Sequence, residues 1–360
     1  MAQAYTEDCY DLVEERIEMK VLDTIPEISS EPLDRIGKDC EALHILFTAF
    51  EFDLFNLLKE PKTARQISGE IETNPYLTEK FLNALVALQL LSKHDNKYTN
   101  TKLASTFLVN SSPFYQGNLL RLSAKGSDNG SKMSSILKGE MQKEKDGKFE
   151  FEDVFDPSFI LAMAEGAMRR SLHRTVKEVS NLPEFQRAKK LLDFGGGHGL
   201  YAIAFSQTNP NLEAVVFDLP HVTEVAKEFI AKYEMEERIA IIRGNFLEDD
   251  IGNGYDIIFV SDVFYRKKDV LMSILKKIRD ALNDNGSIIL KHWLLNDDRT
   301  GPLVSVLFDF KLSLRGDRHY IYTEKEYIEL LQEVGFSSIR TLNISSSSSP
   351  SGIITGKKEV

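Results

Sequence analysis

The second half of the chain alternates between short apolar runs and segments with helical periodicity. The apolar runs are bounded by polar residues or glycines and have the length of buried strands. They lie at residues 191–192, 214–217, 239–243, 256–261, 287–291, 338–344 and 352–355. The helical segments lie at residues 202–207, 268–282 and 324–334. This alternation predicts an α/β domain with a mostly parallel sheet of seven strands, the last of them antiparallel.

The first half of the chain has helical periodicity followed by one hairpin. Apolar residues recur at helical spacing in two series: Leu43, Phe47, Phe50 and Leu54, then Leu77, Phe81, Leu85 and Leu88. A short helix at residues 64–71 separates the two series, and Asn74 and Pro75 suit the start of the last helix. Asp95-Asn96 turns a hairpin over residues 92–99. Three helices and a small hairpin form the outline of a winged helix.

A winged helix has two interpretations. Its third helix could bind DNA, or the module could serve for dimerisation and cover an active site. The third helix carries only Lys80 as a base, beside Glu79. The sequence therefore favours dimerisation.

These patterns divide the chain into three parts. We expect a helical, winged-helix-like dimerisation domain at residues 1–110, a helical connector at 111–180 and an α/β domain at 181–360. Residues 111–155 of the connector are polar, with dense charges at residues 138–148. A serine run at 345–349 lies between two strand candidates, so we expect it to be a hairpin loop.

Composition limits the class of protein. Of 360 residues, 42% are hydrophobic and 28% charged, as in a globular protein with a large core. The net charge of −11 argues against a nucleic-acid partner. No apolar run reaches the ~20 residues that cross a bilayer, so no membrane partner is expected. Cys9 and Cys40 form no disulfide framework, which favours a cytoplasmic location, and the scattered histidines indicate no metal site.

The most informative motif lies between the first two predicted strands. It reads Asp193-x-Gly195-x-Gly197-x-Gly199, and Asp218 ends the second strand. Glycines let a ligand approach the backbone closely, and a carboxylate at a strand end can accept both hydroxyls of a ribose. Dinucleotide sites use Gly-x-Gly-x-x-Gly for a pyrophosphate, which Asp193 would oppose. The motif suits a cationic nucleoside such as S-adenosylmethionine.

With this motif the chain resembles the plant and bacterial small-molecule O-methyltransferases of the caffeate and hydroxyindole type, which have the class I methyltransferase fold. The resemblance covers about residues 40–357. It is carried by segments 49–58, 159–163, 192–199, 217–220, 244–246, 323–327 and 335–336. It implies a Rossmann-like seven-stranded sheet that binds S-adenosylmethionine, a helical domain that forms a homodimer, and a small-molecule acceptor enclosed between the two domains, with the connector lining its pocket.

By this resemblance, the glycines and Asp218 form the cofactor site with Asp193. Gly195, Gly197 and Gly199 make the turn on the methionine side. Asp218, followed by Leu219, takes the ribose hydroxyls.

The resemblance assigns five further residues. Asn245 occupies a position that usually carries an acid against the adenine amine, and its amide oxygen can still accept from that amine. Phe246 matches a residue that packs on adenine, although it would also suit the core. Ser261 matches the end of the fourth strand, near the cofactor. Phe159 and Met163 match the helix that lines the acceptor, where methionine offers a polarizable surface, or they belong to the core.

The catalytic positions depart from the family pattern. The usual His-Asp-Trp run after the fourth strand is missing, and Tyr265 falls on the position of the histidine base, give or take one residue. The two acids that usually orient this base fall on His292 and Ile321. His292 could act as a replacement base because an unperturbed pKa of ~6.5 suits that task, or it could simply line the pocket. Tyr265 could orient the acceptor.

Other aromatic and histidine residues have weaker claims. Trp293 and His319 are nearby in sequence, and His198 is expected to start a helix. The leading hypothesis is a methyltransferase acting on a small aromatic or hydrophobic acceptor. O-methylation is the usual outcome in the family, but the missing base leaves C-, S- and N-methylation open. The alternative is a cofactor-binding regulator or partner subunit without catalysis; an NAD-dependent dehydrogenase is disfavoured by Asp193.

Overall fold

The computed structural model describes residues 25–127, 133–139, 155–314, 320–346 and 350–359. The first 24 residues, most of the charged patch at 138–148, His319 and the serines at 347–349 lie outside the described residues.

The amino-terminal half is mainly helical. Its helices are α1 (Glu31–Glu51), α2 (Leu54–Leu57), α3 (Ala64–Glu70), α4 (Pro75–Ala87), α5 (Lys102–Phe107), α6 (Gly117–Ser127), α7 (Met133–Leu137), α8 (Pro157–Gly166), α9 (Leu172–Ser180) and α10 (Pro183–Arg187). A π-helical turn at Ala167–Ser171 joins α8 to α9. The strands are β1 (Lys62–Thr63), β2 (Leu91–His94) and β3 (Lys97–Asn100), which form a small antiparallel sheet in the order β1-β3-β2.

The carboxy-terminal half alternates strands and helices. Its strands are β4 (Lys190–Phe194), β5 (Glu213–Asp218), β6 (Ile239–Arg243), β7 (Tyr255–Ser261), β8 (Leu282–Trp293), β9 (Phe336–Asn343) and β10 (Ser351–Lys358). Its helices are α11 (Leu200–Thr208), α12 (Pro220–Lys232), α13 (Lys268–Ala281), α14 (Leu303–Ser313) and α15 (Glu324–Val334).

Seven strands form one sheet in the order β6-β5-β4-β7-β8-β10-β9. Strands β4 to β8 pair in parallel, and β10 is antiparallel to β8 and β9. The predicted seven-stranded α/β sheet with an antiparallel last strand is thereby confirmed. The parallel strands end at one edge, and the ends of β4 and β5 are adjacent there.

Both faces of the sheet are buried, which explains the continuous apolar runs. Successive side chains of a strand point to opposite faces, so Leu191 and Leu192 belong to two different core clusters. One cluster packs the sheet against α9 to α12 and the other against α13 and α15. The sheet edge with the glycine motif is therefore fixed by packing from both sides.

Several element boundaries differ from the predictions. Leu54 does not continue α1, because Asp53 adopts a left-handed φ of 50° and a new helix starts after it. Leu77 is 63% exposed, and Leu82 is buried beside Leu85 instead. Asn285, which follows the helix predicted over 268–282, lies within β8, where the pairing with β7 is irregular.

Local capping signals were predicted correctly. The Asn74 side chain accepts from the backbone N–H of Leu77 at 3.1 Å at the start of α4. Helix α15 ends at Gly335, whose φ of 93° suits a glycine. In the described part of the chain no helix is long and apolar enough to cross a membrane.

Candidate active site

The glycine turn follows β4 in the chain and is hydrogen-bonded to the end of β5. Gly195, Gly197 and Gly199 have φ values of 66°, 55° and 72°, the left-handed region that favours glycine. The backbone N–H groups of Gly195 and Gly196 both donate to the carbonyl oxygen of Phe217, at 2.9 and 3.2 Å. The turn then leads directly into α11, since Gly199 is its cap.

Asp218 is hydrogen-bonded to this turn. Its Oδ2 accepts from the backbone N–H of Gly197 at 2.8 Å, and its Oδ1 accepts from that of Leu219 at 2.7 Å. The side chain is half-buried, and burial raises the pKa of Asp218 to about 6. The glycine turn and the predicted ribose carboxylate therefore form one bonded unit.

Asp193 lies beneath the turn. It is 1% exposed, and its Oδ2 accepts from the backbone N–H of Ala202 at 3.2 Å. A Cβ on Gly196 would lie 2.8 Å from the Asp193 carboxyl carbon. Burial, with the nearby Asp218 charge, raises the pKa of Asp193 to about 7. This geometry supports the turn from below and gives Asp193 little surface for direct contact with a ligand.

His198 lies within the turn, directly before Gly199, the cap of α11. Its Nδ1 accepts from the backbone N–H of Leu200 at 3.1 Å, and burial lowers the pKa of His198 to about 4. The ring is therefore neutral near pH 7.

Asn245 and Phe246 lie after β6, next to the end of β5. The Asn245 Oδ1 accepts from the backbone N–H of Leu247 at 3.0 Å, so one of its lone pairs belongs to a local turn. The Phe246 ring is half-buried, with its centroid 5.1 Å from that of Phe194 at the end of β4. Lys277 donates to the Phe246 carbonyl at 2.8 Å and holds this loop to α13.

Ser261 ends β7 and leads to Asp262, a residue that the sequence interpretation missed. Asp262 has a left-handed φ of 56°, and its half-buried carboxylate forms an ion pair with the buried Lys291 of β8. Burial opposes ionisation of Asp262, but Lys291 and the other groups around the carboxylate together outweigh it and hold the pKa of Asp262 below its ordinary value. A sequence signal existed, because Lys291 is a charge inside an apolar strand.

Tyr265 is held by this ion pair. Its hydroxyl donates to Asp262 Oδ1 at 2.8 Å. Burial and the Asp262 charge raise the pKa of Tyr265 well above its ordinary value. The hydroxyl is therefore protonated at neutral pH, and Tyr265 has the geometry to orient an acceptor but not to remove its proton.

His292 does not have the geometry of a general base. It is 1% exposed, and its Nε2 accepts from the backbone N–H of Phe264 at 3.0 Å. The ring proton is consequently on Nδ1, which has no partner, so neither nitrogen offers a free lone pair. Burial lowers the pKa of His292 to about 4. His292 packs against the Tyr265 ring, whose centroid is 5.8 Å away, and its role as a base stays a prediction.

The predicted acceptor-lining helix is α8. Its Phe159 is half-buried and packs against the apolar cluster of Ile160, Val222 and Val225, against which Leu219, beside Asp218, also packs. Met163 is half-buried one turn further along. Ile321, at the position of the second usual acid, is fully buried.

A second aromatic surface lies near Tyr265. The Phe308 ring of α14 packs edge-on against Tyr265 at 5.3 Å and against Trp293 at 5.2 Å. All three side chains are half-buried. We call these three residues the aromatic wall. The sequence indicated Trp293 only weakly and Phe308 not at all.

A parallel sheet with a glycine turn and a carboxylate at adjacent strand ends defines a nucleoside-binding α/β enzyme fold. Residues 145–337 match the family model of the O-methyltransferase domain, and residues 42–110 match the O-methyltransferase dimerisation domain. The first match spans more than half of the chain. The protein belongs to the O-methyltransferase family, whose methyl donor is S-adenosylmethionine.

Individual proteins agree with this assignment. The chain is 30% identical over 342 residues to an uncharacterised protein of Methanocaldococcus jannaschii, covering 91% of this chain and 89% of that one. It is 28% identical over 327 residues to 3-hydroxy-5-methyl-1-naphthoate 3-O-methyltransferase of Streptomyces sahachiroi, covering 87% and 91%. The structure of human N-acetylserotonin methyltransferase in complex with SAM has the same fold, with a TM-score of 0.77, 21% identity and coverage of 94% and 100%.

The predicted family, fold class, enzyme class and cofactor are thereby confirmed, and the regulator and dehydrogenase alternatives are not favoured. The matched dimerisation domain indicates association between copies of the chain. The individual site residues, the winged-helix interpretation and the domain boundaries at 110 and 180 stay predictions.

Proposed function

We propose that this O-methyltransferase acts on a hydroxyl group of a small, flat aromatic acceptor. One relative is named for 3-hydroxy-5-methyl-1-naphthoate and one structural neighbour for N-acetylserotonin, and both are small aromatic molecules. The observation that carries the cofactor side is the hydrogen bond from the Gly197 N–H to Asp218, which joins the glycine turn to a carboxylate at the sheet edge.

The residues present fit S-adenosylmethionine. A carboxylate has about four acceptor positions, and backbone N–H groups occupy one on each Asp218 oxygen. The remaining positions suit the two ribose hydroxyls. A Cβ on Gly197 would have nothing within 4 Å, so the turn is open on that side. When bound, the cofactor supplies a methyl group on a positively charged sulfur.

We assign Gly195, Gly197 and Gly199 to the methionine side of the cofactor, with Asp193 acting through its charge beneath the turn. Leu219, Asn245, Phe246 and Ser261 complete the site around Asp218. Phe246 offers an apolar face to adenine, and Asn245 keeps one oxygen lone pair for the adenine amine.

The acceptor side includes Tyr265, with Phe159 and Met163 on α8. Holding the acceptor in line with the methyl group supplies much of the rate in such a transfer, so Tyr265 acts by orientation. We further propose a homodimer formed through the amino-terminal domain, and a cytoplasmic location.

Calorimetric titration with S-adenosylmethionine, S-adenosylhomocysteine and NAD tests the cofactor site. Micromolar binding of both S-adenosyl compounds, weakened at least tenfold in Asp218→Ala, is the expected result. Incubation with methyl-labelled cofactor and a panel of hydroxynaphthoates and hydroxyindoles then tests the acceptor class. Absence of S-adenosylhomocysteine binding would refute the site, and label transfer only to thiols or carbon would refute the acceptor class.

A further inference from the structure

The Asp262 carboxylate is surrounded by four hydrogen-bond donors. Its Oδ1 accepts from the Tyr265 hydroxyl at 2.8 Å and from the backbone N–H of Trp293 at 3.2 Å. Its Oδ2 accepts from the Lys291 ammonium and, at 3.3 Å, from the Ser261 hydroxyl. An ionised carboxylate has about four acceptor positions, so the protein itself fills all of them.

This arrangement fixes which group donates. Lys291 is 3% exposed and its ion pair keeps Asp262 ionised, so Asp262 can only accept. Tyr265 must therefore donate its single hydroxyl hydrogen to Asp262. For any further partner, the Tyr265 Oη offers lone pairs and no hydrogen.

The segment that carries Tyr265 packs against the cofactor turn, and the Tyr265 ring belongs to an aromatic surface. A Cβ on Gly195 would lie 2.7 Å from a methyl carbon of Val263, so the segment leading to Tyr265 packs against the glycine turn. The half-buried rings of Trp293 and Phe308 complete the aromatic wall. A flat ring on this wall would bring its substituents close to Oη.

We propose that Tyr265, oriented by the Asp262–Lys291 ion pair, selects acceptors that present a neutral hydroxyl. The acceptor O–H donates to Tyr265 Oη in the bound complex. When a lone pair of the acceptor oxygen takes the methyl group, the electrons of the broken bond stay on the sulfur and the acceptor proton passes to solvent water. A phenolate or a methyl ether has no hydrogen to donate at this position. Asp262 and Lys291 are positioning residues that act through Tyr265. This inference rests on the proposed function, because it describes the acceptor side of that site.

The probe is 4-nitrophenol, which changes colour on ionisation near neutral pH, with 4-nitroanisole as its methyl ether. Both are titrated into protein saturated with S-adenosylhomocysteine. We expect the phenol to bind about tenfold more tightly than the ether, the effect of one hydrogen bond. We also expect binding to raise the apparent pKa of the phenol, seen as a loss of the yellow ionised form.

Three variants locate the effect. Tyr265→Phe should make the two probes bind equally. Asp262→Asn combined with Lys291→Met removes both charges together and should reduce the phenol preference, with no further reduction in the Tyr265→Phe background. Tyr322→Phe is the matched control, because the Tyr322 hydroxyl donates to the Arg266 carbonyl at 2.8 Å and not to Asp262; its preference should stay as in the wild type.

The results separate this inference from the cofactor assignment. Preferential binding of the ionised phenol, equal binding of the two probes to wild type, or no phenol binding while S-adenosylhomocysteine binds would each overturn the inference alone. If the charge-free double variant melts earlier but keeps the wild-type phenol preference, Asp262 and Lys291 have only a structural role and that part is wrong. Absence of S-adenosylhomocysteine binding would instead reject the proposed function.

Discussion

Two glycines of the cofactor turn should respond oppositely to alanine in tests of stability and of binding. Gly195 and Gly197 both have a left-handed φ, so either alanine costs about 1–2 kcal/mol for the backbone. At Gly195 the new Cβ would also lie 2.7 Å from a Val263 methyl carbon. Overpacking of this kind costs about 1–3 kcal/mol. At Gly197 nothing lies within 4 Å, so no such cost is added.

The expected difference in stability is therefore about 1–3 kcal/mol, with Gly195→Ala the less stable variant. A domain of roughly this size loses about 2–4 °C of melting temperature per kcal/mol, so differential scanning calorimetry of the apoprotein resolves it. For S-adenosylhomocysteine affinity we expect the reverse order, with Gly197→Ala the more weakly binding variant. The Gly197 Cβ enters the open side of the turn, where we place the cofactor, and should weaken binding about tenfold or more.

Val263→Ala supplies the control. Combined with Gly195→Ala in a double-mutant cycle, it should recover most of the overpacking cost, while combined with Gly197→Ala it should add independently. Equal losses of melting temperature in the two glycine variants would refute the argument from the Val263 contact. Unchanged S-adenosylhomocysteine affinity in Gly197→Ala would refute the placement of the ligand.

Three further outcomes are expected. Ribose hydroxyls favour ionised Asp218, so S-adenosylhomocysteine affinity, measured by calorimetry, should fall up to about tenfold per pH unit below about pH 6, and Asp218→Asn should remove this dependence. Asp193 has a pKa of about 7 in the folded protein against ~3.9 in the unfolded chain, so the folded protein binds its proton more tightly. The contribution of this proton to the free energy of unfolding is therefore present below about pH 4 and is lost as the pH rises through about 7. Urea denaturation of Asp193→Asn should lack that decline. Lys291→Met should destabilise the protein by less than the ~3–5 kcal/mol of a fully buried unpaired charge, because Asp262 is 31% exposed and keeps three other donors, and the loss should be smaller still when combined with Asp262→Asn.

The sequence predicted the parts of this molecule that depend on local chemistry. Strand β6 and helix α15 were predicted at their observed bounds, because apolar periodicity and a terminating glycine act within a few residues. The glycine turn was recognisable for the same reason. Strand β1 was missed because its two residues become a strand only by pairing with β3, 34 and 36 positions away.

The catalytic assignment depends on contacts that no local pattern encodes. The bond from the Phe264 N–H to His292 joins residues 28 positions apart. The Asp262–Lys291 pair joins residues 29 positions apart. It becomes predictable only once β7 and β8 are known to be neighbours, because Ser261 pairs with Lys291. The charges of Asp262 and Lys291 can be recognised as a pair from the order of the strands in the sheet, but not from the hydrophobic periodicity of either strand.

His292 offers a direct test of whether this active site contains a histidine base. His292→Phe keeps an aromatic ring between Phe264 and Tyr327 but leaves the buried Phe264 N–H unpaired, at a cost of about 1–3 kcal/mol. His292→Gln supplies an acceptor oxygen for that N–H and loses the ring. A general base contributes about 10²–10⁴-fold to the rate. Because Nε2 is occupied and the pKa of His292 is about 4, we expect both variants to melt earlier yet keep kcat within about threefold, with an unchanged pH profile from pH 5 to 8.

The measurement is initial-rate methyl transfer to a hydroxyarene found in the acceptor screen. A hundredfold loss of kcat in both variants, with S-adenosylhomocysteine affinity unchanged, would show that the ring leaves Phe264 during turnover and that His292 is the base after all.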